Sequence, residues 1–303
     1  MQVYDSVNEI IGKTPLVRLK GFGENLYGKC EFLNPSHSIK DRAAYAMIKK
    51  ALDEAHISKE TTIIECTSGN MGISLAMICA TLGLKIILTM PESMSIERRK
   101  MMALFGAKLE LTPASEGMKG AYERALALHK EIKNSFIPSQ FENLANKFAH
   151  RENTAVEILN DLDGKIDYFV AGFGTSGTIS GVGEVLKEKF ADKVKIIAVE
   201  PAASPLLSEG KAGGHKIQGI GANFIPKILN QSVIDEIQTI SNEDAIATAR
   251  ELALKNGLMV GISSGANVFI ASKIAKANPD KIIVTMLNDT AERYLSTDLF
   301  AGI

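Results

Sequence analysis

The sequence predicts an α/β fold built on mostly parallel sheets. Short β-branched runs alternate along the chain with longer stretches of helical periodicity. Several of the short runs lead into a polar, glycine-containing turn and then into a helix, as parallel sheets require. The chain has 303 residues, 46% hydrophobic and 23% charged. This length favours two domains, and this balance excludes a mostly disordered, collagenous or coiled-coil chain.

Each element is predicted from its own pattern. Ser95 is placed to cap the start of one helix, and Gly106 ends it. The segment 200–228 is the longest without periodicity, which is typical of a functional loop. The predicted strands are 61–65, 85–89, 108–111, 168–171, 195–199 and 281–286. The predicted helices are 73–84, 95–105, 119–133, 143–159, 242–256 and 266–277, with a further helix after residue 42.

Charge and cysteine content exclude several classes of function. Lysine and arginine total 34 against 35 acidic residues, so no field attracts nucleic acid or an anionic membrane. The three cysteines form no CxxC pair, which argues against a disulfide framework or a zinc site. The first ten residues lack a signal-peptide pattern, and no apolar stretch is long enough to span a bilayer. We therefore expect a soluble, cytoplasmic protein that binds no metal.

Two polar loops in the first half of the chain are candidate sites. Lys40 stands where a loop enters a helix, and a helix N-terminus lowers the affinity of an amine for its proton. Such a lysine is either a solvated helix-start residue or an amine able to form a Schiff base. Thr67, Ser68 and Asn70 open the next helix with more hydrogen-bonding groups than a cap needs. This loop is suited to a carboxylate or a phosphate.

Two more loops lie in the second half. Gly172, Gly174 and Gly177 match the dinucleotide pattern G-x-G-x-x-G, and Glu200 lies about 20 residues further on, where a ribose ligand is expected. The hydroxyls within the same loop favour a terminal monophosphate instead, so an NAD-dependent oxidoreductase and a phosphate site remain equal alternatives here. The loop GISSGA, which contains Ser263, reads by itself as a helix cap.

Taken together and in order, these loops resemble the O-acetylserine sulfhydrylase (cysteine synthase) family of fold-type II pyridoxal-phosphate enzymes. The resemblance runs nearly end to end, which decides between the two alternatives in favour of pyridoxal phosphate. It implies a two-domain, tryptophan synthase β-like fold in which each domain is a mostly parallel sheet flanked by helices. The segments that carry it are IGKTPLVRL, KDR, TSGN-x-GISLA, MPESMSIERRKMMALFGAKLELT, GMKGA, HKIQGIGANFIP, GISSGA and ERYLST.

The resemblance also implies roles for single residues. Lys40 is similar to the lysine that forms the Schiff base with the cofactor and carries the Cα proton. Asn70 resembles the partner of the ring hydroxyl, and Ser263 resembles the partner of the pyridine nitrogen. The phosphate cradle would be Gly174, Thr175, Ser176, Gly177 and Thr178. The substrate site would be Thr67, Ser68, Met71 and Gln140 at the α-carboxylate, with Gly219 lining the pocket.

The implied reaction is a β-replacement that forms L-cysteine from O-acetyl-L-serine and sulfide through an α-aminoacrylate intermediate. Residues 41–140 would form a small mobile domain that binds the substrate carboxylate and closes over the intermediate. Residues 1–40 and 141–303 would form the larger domain that binds the cofactor phosphate. The family further implies a homodimer and a possible association with serine acetyltransferase.

Three positions depart from the family pattern. Met71 stands where threonine is usual, and Ser176 and Asn223 stand where glycine is common. A methionine thioether near the substrate Cβ would favour sulfur or another apolar nucleophile, as in the related β-cyanoalanine synthases. The alternative function is therefore a cysteine-consuming β-replacement that releases sulfide, like a β-cyanoalanine synthase or a cystathionine β-synthase. Met71 is equally compatible with a simple size exchange at a crowded helix start, and an inactive homologue is disfavoured because Lys40 and all four loops are present.

Overall fold

The computed structural model describes residues 3–303, and these divide into two compact units. The first unit contains the described residues up to 11 and residues 40–146, and the second contains residues 12–39 and 147–303. The strands are β1 (Leu16–Arg18), β2 (Leu26–Cys30), β3 (Thr62–Cys66), β4 (Lys85–Pro91), β5 (Lys108–Thr112), β6 (Ser135–Phe136), β7 (Tyr168–Gly172), β8 (Lys195–Pro201), β9 (Glu236–Ile240) and β10 (Ile283–Leu287). The helices are α1 (Lys40–Asp53), α2 (Asn70–Leu82), α3 (Ile96–Leu104), α4 (Gly117–Glu131), α5 (Leu144–Ala149), α6 (Ala155–Asp161), α7 (Gly177–Phe190), α8 (Leu206–Glu209), α9 (Asn242–Asn256) and α10 (Ile262–Ala277).

The first unit is built on a parallel four-stranded sheet in the order β5-β4-β3-β6. Successive side chains of a strand point to opposite faces, so neighbouring residues of β3 serve different cores. Ile63 joins an apolar cluster formed with α1 and α2, and Ile64 joins a smaller cluster formed with α4. Both faces of the sheet are therefore covered by helices, as the continuous apolar run of a parallel strand predicts.

The second unit is built on a six-stranded sheet in the order β1-β2-β10-β7-β8-β9. Only β1 runs antiparallel to its neighbour, and every other pair in this sheet is parallel. Val170 of β7 belongs to the cluster under α9 and α10, whereas Phe169 belongs to the cluster under α6 and α7. The central strand β10 is buried along its whole length.

Local sequence explains where the helices begin and end. The hydroxyl of Ser241 accepts a hydrogen bond from the backbone N–H of Asp244 at the start of α9, and Gly257 ends that helix in the left-handed conformation. Ser95 caps α3 in the same way, as predicted from the sequence. Gly83 ends α2 with a φ of +69°. Capping serines therefore determine where α3 and α9 begin after the preceding strands.

All six predicted strands are confirmed within two residues at each end, but four strands escaped prediction. Two of these, β1 and β6, are two or three residues long, and β9 lies at a sheet edge. The pattern of β2 is interrupted by Gly28 and by Lys29, whose buried ammonium pairs with Glu157 at 3.0 Å and Asp161 at 3.1 Å. A buried ion pair cannot be anticipated from one strand, because its partners come from α6.

Two further predictions differ from the structure. The single helix predicted over 143–159 is a run of α5, a five-residue π-helical stretch (His150–Thr154) and α6. The predicted boundary of the smaller domain, 41–140, differs from the first unit at both ends. The described residues up to 11 belong with the first unit because Ile11 packs against its core. No helix of the described residues is long and apolar enough to cross a membrane.

Candidate active site

The turn between β3 and α2 contains Thr67, Ser68 and the N-cap residue Gly69, and Asn70 is the first helical residue. Thr67 is buried, and its Oγ1 accepts a hydrogen bond from the backbone N–H of Gly69 at 3.4 Å. The first backbone N–H groups of a helix have no partner within the helix, so they can hold an anion together with the two hydroxyls. This loop in the first unit is therefore suited to a carboxylate.

Met71, the second residue of α2, is 2% exposed and belongs to the apolar core of the first unit. Because its side chain packs in that core, the group that it can offer a carboxylate is its backbone N–H. At the next position, a Cβ added to Gly72 would lie 2.7 Å from Cε of Met102 on α3. The start of α2 is packed tightly against α3, which favours the interpretation of Met71 as a packing residue.

Gln140 is the fourth predicted carboxylate residue, and it lies in the loop after β6. It is 6% exposed. The N–H of its neighbour Ser139 donates to Oε2 of Glu65 at 3.0 Å, and the carbonyl oxygen of Gln140 accepts from Nδ2 of Asn146 at 2.9 Å. The structure thus joins the Gln140 loop to the end of β3, two residues before Thr67.

Glu65 was not predicted as a site residue. It is 5% exposed, and burial raises the pKa of its carboxyl group to about 8, although backbone N–H groups oppose the shift. One of these N–H groups belongs to Ser139, whose nitrogen lies 3.0 Å from Oε2. A glutamate in a strand otherwise rich in isoleucine is the sequence signal that could have revealed it.

Lys40 is the first residue of α1 and is half-buried. The buried carboxylate of the next residue, Asp41, accepts a hydrogen bond from Oγ of Ser74 on α2 at 2.6 Å. This bond joins the first turn of α1 to the second turn of α2 within the first unit. Lys40 and Asn70, which start these two helices, are thereby held on neighbouring helix ends.

In the second unit, the loop after β7 packs its backbone closely on its surroundings. The N–H of Gly172 donates to Oδ1 of Asn267 at 2.8 Å. A Cβ added to Gly174 would lie 2.4 Å from the carbonyl oxygen of Gly219, so only glycine fits this position. Ser176 adopts a left-handed φ of +72° directly before α7 begins at Gly177. The loop thus forms a cradle of backbone N–H groups at a helix start.

The hydroxyls of this loop have different surroundings. Thr175 and Ser176 are both buried, and Oγ of Ser176 has no hydrogen-bond partner among the described residues. Oγ1 of Thr178 lies 3.3 Å from Nε2 of His150, and Nδ1 of that histidine lies 2.9 Å from Oγ1 of Thr154. His150 lies in the π-helical stretch and was also missed by prediction, since helical periodicity does not reveal a π-helix.

Ser263 is the second residue of α10 and is 2% exposed. Its Oγ accepts a hydrogen bond from Nδ2 of Asn288, at 3.0 Å, just after β10. A Cβ added to Gly219 would lie 3.6 Å from this Oγ, and Gly219 has a φ of +99°. In the second unit, Gly219 therefore lies close to both Gly174 and Ser263.

Each unit, taken on its own, has groups that fit pyridoxal phosphate. In the second unit, the glycine cradle and the buried hydroxyl of Ser176 without a partner match a phosphate monoester at the start of α7. Ser263 supplies a neutral hydroxyl for a ring nitrogen. In the first unit, Lys40 supplies a primary amine for an aldehyde, and Asn70 supplies an amide for a ring hydroxyl. Among the residues that the structure describes, no cluster of side chains could hold a metal ion.

Glu200 does not fit the role of a ribose ligand. Its carboxylate is fully buried at the end of β8 and accepts hydrogen bonds from the N–H of Leu207 at 2.8 Å and of Ser208 at 3.1 Å. The hydroxyl of Ser208 donates to the same carboxylate. Glu200 is therefore engaged in capping α8, and the dinucleotide alternative loses its acidic residue.

Comparison with known proteins agrees with this geometry. Residues 7–289 match the family described as pyridoxal-phosphate dependent enzyme, and the chain belongs to this family. It is a pyridoxal-phosphate-dependent enzyme of fold type II, which confirms the expected fold and cofactor and makes the oxidoreductase alternative wrong.

Particular relatives are more informative. The chain is 70% identical over 301 residues to cysteine synthase B of Campylobacter jejuni, covering 99% of this chain and 100% of the relative. A solved structure of cysteine synthase from Entamoeba histolytica is 42% identical with a TM-score of 0.95, covering 99% of this chain and 91% of that one. A hydrogen sulfide-producing enzyme of Fusobacterium nucleatum is 45% identical with a TM-score of 0.92, covering 97% and 100%. The resemblance to cysteine synthases is confirmed.

Proposed function

We propose that this chain is a cysteine synthase that replaces the acetoxy group of O-acetyl-L-serine with sulfide. The observation that carries the proposal is the pairing, in one chain, of a carboxylate loop at Thr67 with a phosphate cradle at Gly174. The 70% identity to a cysteine synthase over the whole chain supports the same conclusion. The cysteine-consuming alternative loses support because Met71 is a core residue.

The cofactor residues of this proposal are those that the family resemblance implies. Lys40 would bind its aldehyde carbon, Asn70 its ring hydroxyl, and Thr175, Ser176 and Thr178 its phosphate together with the backbone of Gly174 and Gly177. When bound, pyridoxal phosphate supplies an electron-withdrawing ring that takes up the electrons left when the Cα–H bond breaks. Ser263 is the proposed partner of the ring nitrogen. A neutral serine does not enforce a protonated ring, which favours β-elimination over transamination.

The protein side chains would bind and move the remaining groups. Thr67, Ser68, the backbone N–H of Met71 and the amide of Gln140 would hold the α-carboxylate, with Gly219 lining the pocket. Nζ of Lys40 would take the proton from Cα and return it after sulfide has added. Acetate leaves Cβ with the electron pair of the C–O bond, and hydrosulfide forms the new Cβ–S bond. The smaller unit would supply the carboxylate residues, and its movement stays a prediction.

The test of the function compares two reactions. We expect purified, pyridoxal-phosphate-loaded protein to form cysteine from O-acetylserine and sulfide faster than it releases sulfide from cysteine with cyanide or homocysteine. Faster release of sulfide from cysteine would favour the alternative reaction. Borohydride reduction should attach the cofactor to Lys40, which peptide mass analysis would locate.

Lys40→Ala provides the decisive variant. We expect it to lower cysteine formation by about 10³-fold or more, because it removes the amine that moves the Cα proton. Lys49→Ala is the matched control, since Lys49 lies on the same helix with an exposed side chain paired to Asp53. Equal activity of both variants would contradict the proposed role of Lys40.

We also propose a homodimer in the cytoplasm, as the family resemblance implies, and an association with serine acetyltransferase, for which the family is the only ground. The three free thiols agree with a reducing compartment, and burial raises the pKa of Cys30 and Cys66 to about 11 and of Cys79 to about 12. Sedimentation equilibrium should give twice the chain mass, and a monomer would contradict the dimer. Co-purification with the acetyltransferase of the same organism would test the second association.

A further inference from the structure

The substrate-carboxylate site of the proposed function includes Gln140, and its loop contains one strained residue. Ser139 has a left-handed φ of +57°, a conformation that a non-glycine residue keeps only when its surroundings hold it there. The carbonyl oxygen of Ser139 accepts backbone N–H groups from Glu142 and Asn143, so the loop turns sharply at this point. A neighbouring group must therefore hold the loop in this conformation if Gln140 is to have a fixed position.

Glu65 is the group that holds the loop. Oε2 of its buried carboxyl group accepts a hydrogen bond from the backbone N–H of Ser139 at 3.0 Å. The backbone N–H groups of Cys66 and Gln140 also act on this carboxyl group and lower its pKa against the effect of burial. Two of these N–H groups belong to the Gln140 loop, and the third belongs to the strand that leads into Thr67. One carboxyl group therefore connects the two segments that together would bind the substrate carboxylate. Among the residues that the structure describes, no charged side chain forms an ion pair with Glu65, so backbone N–H groups, above all that of Ser139, account for its retention in the core.

Asn146 completes the fixation from the opposite side. Its side chain is 1% exposed, and its Nδ2 donates to the carbonyl oxygen of Gln140 at 2.9 Å. Buried polar side chains therefore hold the loop at the N–H of Ser139 and at the carbonyl oxygen of Gln140. Only the side chain of Gln140 is left to respond to a ligand.

We propose that Glu65 is a positioning residue, which acts through Gln140 to preorganise the binding site for the α-carboxylate of the amino-acid substrate. This inference rests on the proposed function. Burial raises the pKa of Glu65 to about 8, so above this pH its carboxylate offers two acceptor oxygens. A glutamine keeps the size but offers one acceptor oxygen, so the loop would lose part of its fixation there. The amino acid would then have to order the loop on binding, which weakens affinity without touching the cofactor phosphate site.

The test is a double-mutant cycle on the pyridoxal-phosphate-loaded protein. Binding of L-alanine, which carries the α-carboxylate and no leaving group, is measured by isothermal titration calorimetry at about pH 9, where Glu65 is ionised, for wild type, Glu65→Gln, Gln140→Ala and the double variant. We expect Glu65→Gln to weaken alanine binding about tenfold when Gln140 is present, and less than twofold when residue 140 is alanine. The dissociation constant of pyridoxal phosphate should stay within about twofold in all four proteins.

The control is Glu60→Gln, which removes an exposed carboxylate just before the same strand and should change neither constant. Asn146→Ala provides a second route, because it frees the carbonyl of Gln140 without altering Glu65. It should also weaken alanine binding only while Gln140 is present.

The outcomes separate this inference from the proposed function. Equal effects of Glu65→Gln in both backgrounds, or a matching loss of cofactor affinity, would show a general structural role and overturn the inference alone. If the wild-type protein forms cysteine but the cycle shows no coupling between residues 65 and 140, the inference alone is overturned. Wild-type protein that neither binds alanine nor uses O-acetylserine would overturn the proposed function and the inference together.

Discussion

The two loops proposed to bind ligand are held by different means. In the second unit, the loop after β7 is fixed by backbone approaching backbone, as at Gly174 against the carbonyl of Gly219. In the first unit, the loop after β3 is fixed by side chains, as at Glu65 and at the core methionine Met71. The loop after β7 must direct several backbone N–H groups at one phosphate. The loop after β3 must in addition be joined to the distant segment that contains Gln140.

This difference decides which residues tolerate substitution. A position limited by a backbone atom has no room for a Cβ, because a carbonyl oxygen cannot rotate away like the end of a side chain. A position fixed by side chains can be changed, at a cost that depends on burial and on hydrogen bonds lost. Substitutions in the loop after β7 should therefore be excluded sterically. Substitutions in the loop after β3 should instead lower stability or affinity gradually.

The largest expected effect on cofactor affinity is that of Gly174→Ala. A Cβ at this position would lie 2.4 Å from a carbonyl oxygen, so the loop has to move. We expect pyridoxal phosphate to bind about 100-fold more weakly, which corresponds to the upper part of the 1–3 kcal/mol typical of overpacking. Titration of the apoprotein with the cofactor, followed by absorbance, measures this change.

The matched control for this prediction is Gly214→Ala. Nothing lies within 4 Å of a Cβ at residue 214, and its φ lies outside the left-handed region, so cofactor affinity should stay unchanged. If Gly174→Ala bound the cofactor as tightly as this control, the loop after β7 would be adaptable. The proposed contrast between the two loops would then be wrong.

The same contrast explains how much of the site could be predicted. Fixation by backbone contact demands glycine, and glycines at regular spacing can be recognised in a sequence, as at Gly174 and Gly177. Fixation by side chains depends on segments distant in sequence, and the contact of Glu65 with Ser139 spans 74 positions. His150 was missed for a related reason, since its partner Thr178 belongs to a later helix.

The fold was predicted to a similar degree and for similar reasons. Strands with long apolar runs, such as β4 and β8, were found because both faces of a parallel sheet are buried. β2 was missed because Lys29 is a charged residue in a buried strand, and only the assembled α6 shows that its charge is paired. Single helical positions, such as the cap at Ser95, depend on neighbouring residues alone and were predicted correctly.

A second prediction concerns the pH dependence of stability through Glu65. Burial raises the pKa of this carboxyl group from 4.5 to about 8, so the folded protein binds more protons than the unfolded chain between these two values. Stability supplied by Glu65 therefore falls as pH rises from about 4.5 to about 8, by at most about 1.4 kcal/mol per pH unit, and is constant above. The folded state therefore accommodates the protonated form of Glu65 and is destabilised by its charged form.

Glu65→Gln cannot ionise and should lack this slope. Urea unfolding from pH 5.5 to 9 should show wild type losing stability relative to the variant up to about pH 8, with no further relative change above it. Glu60→Gln serves again as the control and should follow wild type at every pH. A difference between Glu65→Gln and wild type that is independent of pH would mean that Glu65 is charged throughout this range.

The smallest expected effect is that of Met71→Thr, which introduces the residue usual in related enzymes. Met71 is 2% exposed in the apolar core of the first unit, so a shorter and polar side chain should lower the free energy of unfolding by about 2 kcal/mol. Met118→Thr on α4 is the control, since Met118 is 41% exposed and should change stability little. Because the backbone N–H of residue 71 is kept, we expect the ratio of cysteine formation to sulfide release from cysteine to stay the same. If Met71→Thr changed this ratio but left the stability unchanged, the thioether of Met71 would lie at the substrate. The loop after β3 would then not be fixed by its side chains.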